Sequence, residues 1–422
     1  MTRRLLLASL FALALAPAAA ADNWPQWHGP KFDGHSSEKG LPTEWGPDKN
    51  IAWKFKLPTK GFSTPAVWGE QIFLTVPDGD DIVVLCVGTD GKEKWKRKLS
   101  GTGKTVYRNE DANDATSSIS TDGKHLWAFA GNGALACFTV AGEPVWQTTL
   151  QKYGKFSIQF GCHWTPVLYK DKLYAQVMHR NTQMVVALNA ATGKEVWAVE
   201  RAGYSKGESP DVYSSAFIWE GEGGPLLVAH GNDYCTGHKL ENGAEVWRVA
   251  GLNPRTNGAW RFISNPMLSP DLIVVPSCKD GPTVGFNPVG AKGTINPENT
   301  AELWRITADK MRTPDVVTPL RVDDIVYLSG DGPFTAIDAK TGKEHYKTQL
   351  SGGRHRAHML YADGKIYVTS TTGAIDVVPV GKDLKKHTTN KLPDTLYASP
   401  AVSNGRIYVR GWEYLWAIGS AP

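Results

Sequence analysis

Residues 187–197, A-L-N-A-A-T-G-K-E-V-W, are the clearest copy of a unit that recurs along this chain of 422 residues. The core of the unit is a turn glycine with an aromatic residue four positions later, and such pairs are Gly91/Trp95, Gly142/Trp146, Gly193/Trp197, Gly243/Trp247 and Gly342/Tyr346. Trp304 keeps the aromatic residue, with Thr300 at the glycine position. The copies are spaced by roughly 50 residues, so short motifs have to be interpreted within a repeat.

A second series of positions lies upstream in each unit. A Ser/Thr-Pro pair precedes an aromatic or aliphatic residue by a constant eight positions, as in Pro65/Phe73, Pro166/Tyr174 and Pro400/Tyr408. The segments around the second position are rich in β-branched and aromatic residues, which is typical of strands. We count eight units, each predicted to contain four short strands. Units of this length and strand number are typical of β-propeller blades.

The two ends of the repeat array predict how the ring closes. Residues 415–418 match the third strand of a unit, and no fourth strand follows them. Residues 51–54 form a tryptophan strand that lacks the three strands expected before it. The sequence therefore predicts an all-β, eight-bladed β-propeller of four-stranded antiparallel blades, closed by the N-terminal strand. Such closure removes two exposed sheet edges. The propeller is expected over residues 50–419, preceded by an N-terminal extension over residues 22–49.

Residues 1–21 have the pattern of a secretory signal peptide. Arg3 and Arg4 precede an apolar run of about twelve residues and then a cluster of small residues. We therefore expect a secreted or periplasmic protein with a cleaved signal peptide. The first cysteine is Cys86, so no lipoprotein cysteine is expected, and the apolar run is too short for a transmembrane segment.

Composition excludes several partners and centres. The net charge is only +4 and the lysines are dispersed among acidic residues, so no nucleic-acid partner is expected. The five cysteines form no C-x-x-C pair, and no metal site is predicted. Cys86 and Cys137 occupy the register position of Leu188, so we interpret them as packing residues. His238 shares that position and is interpreted as a hydrogen-bonded histidine within a blade.

The segments 187–197 and 336–346 resemble the tryptophan-docking motif of the PQQ-type (pyrroloquinoline quinone) β-propellers. The resemblance covers nearly the whole chain after residue 21. It implies a structural docking role for six tryptophans, Trp53, Trp95, Trp146, Trp197, Trp247 and Trp304. Quinoprotein dehydrogenases of that superfamily hold PQQ and Ca²⁺ on the propeller axis, and alcohol-oxidising members carry adjacent cysteines. This chain lacks adjacent cysteines and is similar in length to the non-catalytic, BamB-like branch.

Candidate binding residues are expected on one face of the ring. Residues 96–117, 147–165, 198–214 and 248–265 are long connections that share this face, which we call the long-loop face. Its arginines could bind a carboxylate, and Trp164 and Trp260, which fall outside the docking register, could offer stacking surfaces. The full set of ligand- or partner-binding candidates is Arg108, Asn109, Asp111, Asp114, His163, Trp164, Asp211, Trp260, Arg261, Arg354, Arg356 and His358.

The function expected from these features is binding rather than catalysis. No nucleophile elbow, P-loop or metalloprotease motif is present, so no catalytic residue is assigned. We expect a BamB-like binding or scaffold protein, with no cofactor, whose partner is an envelope or extracellular protein held by the long-loop face. Two alternatives remain open at this point: a small PQQ-dependent quinoprotein dehydrogenase using PQQ with Ca²⁺, and recognition of an extracellular polysaccharide.

Overall fold

The computed structural model describes residues 23–103, 107 and 112–420. Within these residues, strands β1 to β34 form eight sheets of four or five strands arranged as the blades of a propeller. A single 3₁₀ turn, Leu150–Tyr153, is the one helical element of the described part. The predicted all-β, eight-bladed fold is therefore confirmed. None of the described helical segments has the length and apolarity needed to cross a membrane.

The blades follow one another along the chain after two N-terminal strands, β1 (His35–Ser36) and β2 (Ile51–Lys56). Blades 1 and 2 consist of β3 (Ala66–Trp68), β4 (Gln71–Asp78), β5 (Asp81–Gly88), β6 (Glu93–Gly101), and of β7 (Ser120–Thr121), β8 (His125–Phe129), β9 (Ala134–Thr139), β10 (Pro144–Thr149). Blades 3 and 4 consist of β11 (Val167–Tyr169), β12 (Lys172–His179), β13 (Thr182–Asn189), β14 (Glu195–Glu200), and of β15 (Phe217–Trp219), β16 (Leu226–Gly231), β17 (Tyr234–Lys239), β18 (Glu245–Val249).

The second half of the ring repeats the pattern with one added strand. Blades 5 and 6 contain β19 (Met267–Leu268), β20 (Ile273–Pro276), β21 (Thr283–Phe286), β22 (Gly293–Ile295), β23 (Glu302–Ile306), and β24 (Leu320–Val322), β25 (Ile325–Leu328), β26 (Phe334–Asp338), β27 (Glu344–Thr348). Blades 7 and 8 contain β28 (Leu360–Ala362), β29 (Lys365–Thr369), β30 (Ala374–Pro379), β31 (Thr388–Lys391), and β32 (Ala401–Ser403), β33 (Arg406–Arg410), β34 (Tyr414–Ile418). Strand β22 leaves blade 5 and pairs in parallel with β18 of blade 4.

The N-terminal strand closes the ring as the sequence predicts. Strand β2 pairs antiparallel with β34, and Trp53 lies opposite Ala417, so β2 is the outer strand of blade 8. The Trp53 ring packs on Gly91 of blade 1, and its Nε1 donates a hydrogen bond of 2.8 Å to the Thr89 carbonyl. The N-terminal strand is therefore part of the last blade, and its indole joins that blade to the first.

The same indole contact recurs between other neighbouring blades. The Nε1 atoms of Trp95, Trp146, Trp197 and Trp304 donate to carbonyls in the next blade at 2.9–3.2 Å. Each ring lies on the turn glycine of the following unit, whose φ is positive. A Cβ added to any of these glycines would come within 2.7–2.9 Å of a ring atom, which explains why glycine occupies the turn.

Trp247 departs from this pattern. Its Nε1 has no hydrogen-bond partner, and its ring meets Phe286 edge-on with centroids 5.0 Å apart. Strand β22 pairs in parallel with β18 at this point, and its Gly293 lies beside Trp247. Trp247 is therefore a buried packing residue of blade 4, at 1% exposure, rather than a hydrogen-bonded contact to the next blade.

A second set of interblade contacts surrounds the propeller axis. We call the eight residues that lie two positions before the first strand of each blade the axial belt: Thr64, Ser118, Thr165, Ser215, Asn265, Thr318, His358 and Ser399. In seven of the eight interfaces, the backbone N–H of one belt residue donates to the side chain of a belt residue in the neighbouring blade, at 2.8–3.4 Å. At the interface of blades 5 and 6, Ser264 Oγ donates to the Val317 carbonyl instead. The recurrent Ser/Thr before Pro thus satisfies a backbone donor of the adjacent blade.

The N-terminal extension crosses the end of the axis opposite the long-loop face. Trp24 pairs with Val67 of blade 1, and the Pro25 carbonyl accepts from Thr121 of blade 2. Strand β1 then pairs in parallel with β28 of blade 7. Between these anchors the segment passes the axis, where Trp27 packs against Phe217 of blade 4. The path of this extension was not predicted from the sequence.

Cys86, Cys137 and His238 have the packing roles expected from their register. The two cysteines are free and buried, and burial raises the pKa of Cys86 to about 11 and that of Cys137 to about 12. His238 Nδ1 lies 2.9 Å from the Gly243 carbonyl, and its Nε2 lies 2.9 Å from Thr236 Oγ1. Burial lowers the pKa of His238 to about 4.

The glycine beneath each docking tryptophan provides a matched test of the interblade contact. Gly91 and Gly364 both have positive φ, but a Cβ on Gly91 would meet the Trp53 ring whereas one on Gly364 would meet nothing within 4 Å. We expect Gly364→Ala to lower the free energy of unfolding by about 1 kcal/mol through backbone strain. Gly91→Ala should cost about 1–3 kcal/mol more, because the ring has to move. Equal losses in equilibrium denaturant unfolding would contradict the contact.

Candidate functional site

An axial cavity of about 240 Å³ lies at the centre of the long-loop face. All eight blades contribute to its wall, through the segments that lead into their first strands. These segments are extended, so side chains alternate between the axis and the blade interior. Seven of the eight belt residues line the lower level of the cavity, Thr318 being the exception.

The residues two positions before the belt form a second level, which we call the middle tier. They are Phe62, Thr116, His163, Tyr213, Ile263, Val316, Arg356 and Tyr397, and all eight line the cavity. Four of them are aromatic or histidine rings on blades 1, 3, 4 and 8, and Arg356 is the only charged member. The middle tier therefore mixes aromatic and aliphatic side chains with hydroxyl groups, a histidine and a single arginine on blade 7.

Trp27 of the N-terminal extension forms the floor of the cavity. Its ring stacks on His28 at 5.1 Å and approaches His358 at 4.6 Å between centroids. His358 Nδ1 accepts the Thr318 backbone N–H at 2.8 Å, which leaves the proton of a neutral ring on Nε2. Burial lowers the pKa of His358 to about 3 and also lowers the pKa of His28. The floor is thus neutral near pH 7.

Arginine side chains stand at and above the middle tier. Arg356 makes a two-pronged ion pair with Asp331, at 2.7 and 3.1 Å, and only 11% of its side chain is exposed. Arg354 reaches the same carboxylate at 3.4 Å and is 60% exposed. Two guanidinium groups therefore share one carboxylate, which leaves a positive charge in excess on this wall.

A third arginine lies on the opposite side of the rim. Arg261 Nη1 pairs with Glu208 Oε2 at 3.1 Å, and the guanidinium lies 4.3 Å from the centre of the Phe160 ring. Arg261 and Phe160 both line the cavity. This arginine is held by an ion pair and an aromatic face, so its position is fixed before any ligand arrives.

Three polar atoms of the cavity wall are buried without a hydrogen-bond partner among the described residues. They are the Tyr213 hydroxyl, Trp27 Nε1 and Asp315 Oδ1. Tyr213 is 5% exposed and Trp27 is 7% exposed, and burial raises the pKa of Tyr213. A buried polar atom without a partner costs about 1–3 kcal/mol, and such atoms in a cavity wall are a common mark of a binding site.

The structure brings together five of the predicted site residues and separates the others. His163, Arg261, Arg354, Arg356 and His358 line the axial cavity. Arg108, Asn109 and Asp111 lie outside the described residues. The remaining four, Asp114, Trp164, Asp211 and Trp260, do not line the cavity.

The expectation that Trp164 and Trp260 offer stacking surfaces to a ligand is wrong. Trp164 is fully buried and stacks on Phe129 with centroids 4.4 Å apart. It precedes the belt residue Thr165, and the alternation that turns Thr165 and His163 toward the axis turns Trp164 into the blade. Trp260 is 4% exposed and packs near Gly281.

The two carboxylates away from the cavity have structural partners. Asp211 is fully buried and pairs with Arg180, whose Nη2 lies 2.5 Å from Oδ2. Asp114 is 3% exposed and accepts the Tyr107 hydroxyl and, at 3.3 Å, the Thr102 hydroxyl. Both lie four residues before the belt, but these bonds direct them away from the axis.

The sequence prediction missed Trp27, Tyr213, Phe62 and Tyr397. The last three share a signal that the sequence does carry, since each lies two residues before a belt residue. Trp27 has no such signal, because its position on the axis depends on the path of the extension. The long loops indicated the face that carries the cavity. They did not indicate which side chains of the extended segments point toward the axis.

The described residues do not fit a calcium–quinone centre. Ca²⁺ takes six to eight oxygen ligands, usually with several carboxylates. Asp315 is the only carboxylate among the residues that line the cavity, and no group of three or more His, Cys, Asp or Glu in the described part could hold a metal ion. We therefore derive no step through PQQ.

Sequence comparison places the chain in a known family. The family model described as "Outer membrane protein assembly factor BamB" matches residues 83–270 and 291–382, which is more than half of the chain. The chain belongs to the BamB family. The resemblance to PQQ-type repeats is thereby confirmed. No curated protein matches the chain significantly.

Solved structures with the same fold include a BamB protein and an alcohol dehydrogenase. BamB from Moraxella catarrhalis has a TM-score of 0.60 at 12% identity, over 87% of this chain and 99% of that chain. Quinohemoprotein alcohol dehydrogenase ADHIIG from Pseudomonas putida HK5 has a TM-score of 0.62 at 13% identity, over 95% and 81% of the two chains. Sqt1 from Saccharomyces cerevisiae has a TM-score of 0.60 at 10% identity, over 88% and 100%. At these identities the comparisons establish the fold alone.

The buried histidines of this BamB-family chain predict acid sensitivity. Burial is the main cause that lowers the pKa of His179 and His238 to about 4 and of His230 and His358 to about 3. An unfolded histidine has a pKa near 6.5. Below that pH the unfolded chain binds protons that the folded chain excludes, so the free energy of unfolding should fall as pH falls from about 6.5 to 4.

His358→Ser isolates one of these groups, because serine occupies the same belt position in other blades. We expect the variant to lose stability less steeply than the wild type between pH 6 and 4, by up to about 1.4 kcal/mol per pH unit. Denaturant unfolding at several pH values measures both slopes. Parallel slopes would show that His358 is not held neutral.

Proposed function

We propose that this protein is an exported, non-catalytic BamB-like binding protein that engages a partner protein through the long-loop face. The observation that carries the proposal is the axial cavity, whose wall contains buried polar atoms without partners. A blind cavity at the centre of a rigid ring, surrounded by long loops, supports an anchoring role for one group of a partner. The residue pattern of positions 1–21 supports export, and an exported protein would meet envelope or extracellular proteins.

The groups around the cavity support binding rather than catalysis. Nucleophilic catalysis by a hydroxyl or thiol needs a base within hydrogen-bond reach of that group. The belt hydroxyls accept interblade N–H groups, and His358 uses its Nδ1 as an acceptor for Thr318. His358 is also a poor base at neutral pH, because burial lowers its pKa to about 3. His163 directs its Nε2 to the Phe160 carbonyl at 2.9 Å.

A dye-linked assay discriminates this proposal from the quinoprotein alternative. Purified protein is mixed with PQQ and Ca²⁺, and alcohol and glucose oxidation is followed together with the unfolding temperature. We expect no turnover above a boiled control, because the cavity lacks the ligand set for the metal. Turnover that saturates with PQQ would contradict the non-catalytic assignment.

A capture experiment tests the face that the partner uses. Tagged wild type, Arg354→Glu and Lys385→Glu are compared for capture from an envelope extract. Arg354 lines the cavity and is largely exposed, whereas Lys385 is exposed in the β30–β31 connection on the opposite face. We expect one saturable partner with wild type and Lys385→Glu, and at least a roughly tenfold loss with Arg354→Glu, because the reversed charge repels an acidic group.

The outcomes of the capture experiment separate the faces of the ring. Equal capture by all three proteins would mean that the partner binds elsewhere and would contradict the proposed face. Loss with Lys385→Glu alone would place the partner on the opposite face. Circular dichroism and unfolding temperature are measured on each variant first, so that loss of capture is not confused with loss of fold.

A further inference from the structure

The axial cavity is a blind funnel whose depth suits a single extended chain. Along blade 7, Arg354, Arg356 and His358 line the cavity at successive levels, and Trp27 closes the bottom. Four residues of extended backbone span about 13 Å. A polypeptide loop would place two chain segments in a volume of about 240 Å³. A chain end places only one segment there.

Most polar groups without partners in the funnel are hydrogen-bond donors, so they favour acceptors on the ligand. Tyr213 and Trp27 present a hydroxyl and an N–H without partners, and Trp27 stands on the floor. His358 adds its Nε2 proton at the same level. Above them, Arg354 and Arg356 share the carboxylate of Asp331, so two guanidinium groups have a single ion-pair partner. A carboxylate at the level of the middle tier satisfies the Tyr213 hydroxyl and the arginines, because each of its oxygens accepts from N–H and O–H donors.

One polar group of the funnel, the Asp315 carboxylate, is an acceptor and favours a donor on the ligand. Asp315 Oδ1 is buried without a partner on blade 6, between the arginines of blades 5 and 7. A ligand that carries only carboxylates would repel this oxygen. A peptide chain end supplies backbone N–H groups beside its carboxylate, so it offers a donor to Asp315 as well as acceptors to the other wall.

The middle tier selects the side chain that accompanies the carboxylate. Phe62 and Tyr397 lie on neighbouring blades, with ring centroids 5.6 Å apart, and Tyr213 and Ile263 stand across the axis from them. Such walls favour burial of an apolar or aromatic side chain and disfavour a charged one.

We propose that the axial cavity binds the carboxyl terminus of a partner polypeptide whose last residue is apolar or aromatic. This inference rests on the proposed function and specifies the part of the partner that enters the cavity. The carboxylate meets Arg354, Arg356 and the Tyr213 hydroxyl, a backbone N–H meets Asp315, and the last side chain packs on the middle tier.

Fluorescence anisotropy with a matched pair of peptides tests this inference. The probes are an N-terminally labelled hexapeptide that ends in phenylalanine with a free carboxyl group, and the same peptide as its C-terminal amide. We expect saturable binding of the acid and about tenfold or greater weakening for the amide, which lacks the charge. Equal binding of the two probes, or no binding of the acid up to millimolar concentration, would overturn the inference.

Tyr213→Phe is the sharpest variant for this test. It removes only a hydroxyl whose proton has no acceptor among the described residues, so the unfolding temperature should change little. Binding of the acid peptide should weaken by about three- to tenfold, since an acceptor would lose its donor. Unchanged binding would remove Tyr213 from the site, and Lys385→Glu serves as the control that should bind like the wild type.

A uronic acid oligosaccharide is the competitor that separates peptide recognition from sugar recognition. It carries carboxylates and hydroxyls but no backbone amide. We expect the oligosaccharide to displace the peptide only when it is present in large excess. Tighter binding of the sugar than of the peptide would overturn the inference. If neither peptide binds while Arg354-dependent capture of a protein persists, the chain-end inference fails and the proposed function stands.

Discussion

The hydrogen bonds between neighbouring blades are the constraint on which the rest of the structure depends. A four-stranded blade is apolar on both faces, so it has to be packed between two others. The indole rings fix the blades to each other near the circumference, and the axial belt fixes them near the axis. Strand β2 and Trp53 extend the same contacts across the ends of the chain, so that no blade is left with an unpaired neighbour.

The belt also determines the shape and chemistry of the candidate site. Because seven of the eight belt side chains accept a backbone N–H of the neighbouring blade, the first strands converge at a fixed distance from the axis. The alternation of an extended chain then directs the residues two positions earlier toward the axis as the middle tier. Trp27 closes the opposite end, which turns a channel into a blind cavity. The arginines, the Tyr213 hydroxyl and Asp315 thus stand on segments that the belt anchors to the ring, and Arg261 is also held by Glu208 and Phe160 of the long loops.

Much of the fold could be predicted from the sequence because a repeated local contact leaves a repeated local pattern. Glycine four residues before tryptophan marks the docking turn, and Ser/Thr before proline marks the belt. The rest depends on contacts between residues distant in sequence. The parallel pairing of β22 beside Trp247 and the path that places Trp27 on the axis leave no pattern in the neighbouring sequence. For the site, Arg261, Arg354, Arg356, His163 and His358 were predicted, whereas Trp164 and Trp260 were misplaced because burial depends on which face of the chain a residue takes.

Hydrogen exchange followed by mass spectrometry, on the protein alone and with its captured partner, tests the central claim that binding occurs at the axial cavity. The belt amides are bonded between blades, so they should exchange slowly in both samples. The partner should slow exchange in the segments that contain Tyr213, Arg261 and Arg354, and leave the hairpins of the opposite face unchanged. Protection confined to the opposite face or to the outer strands, with no change around the cavity, would contradict the account.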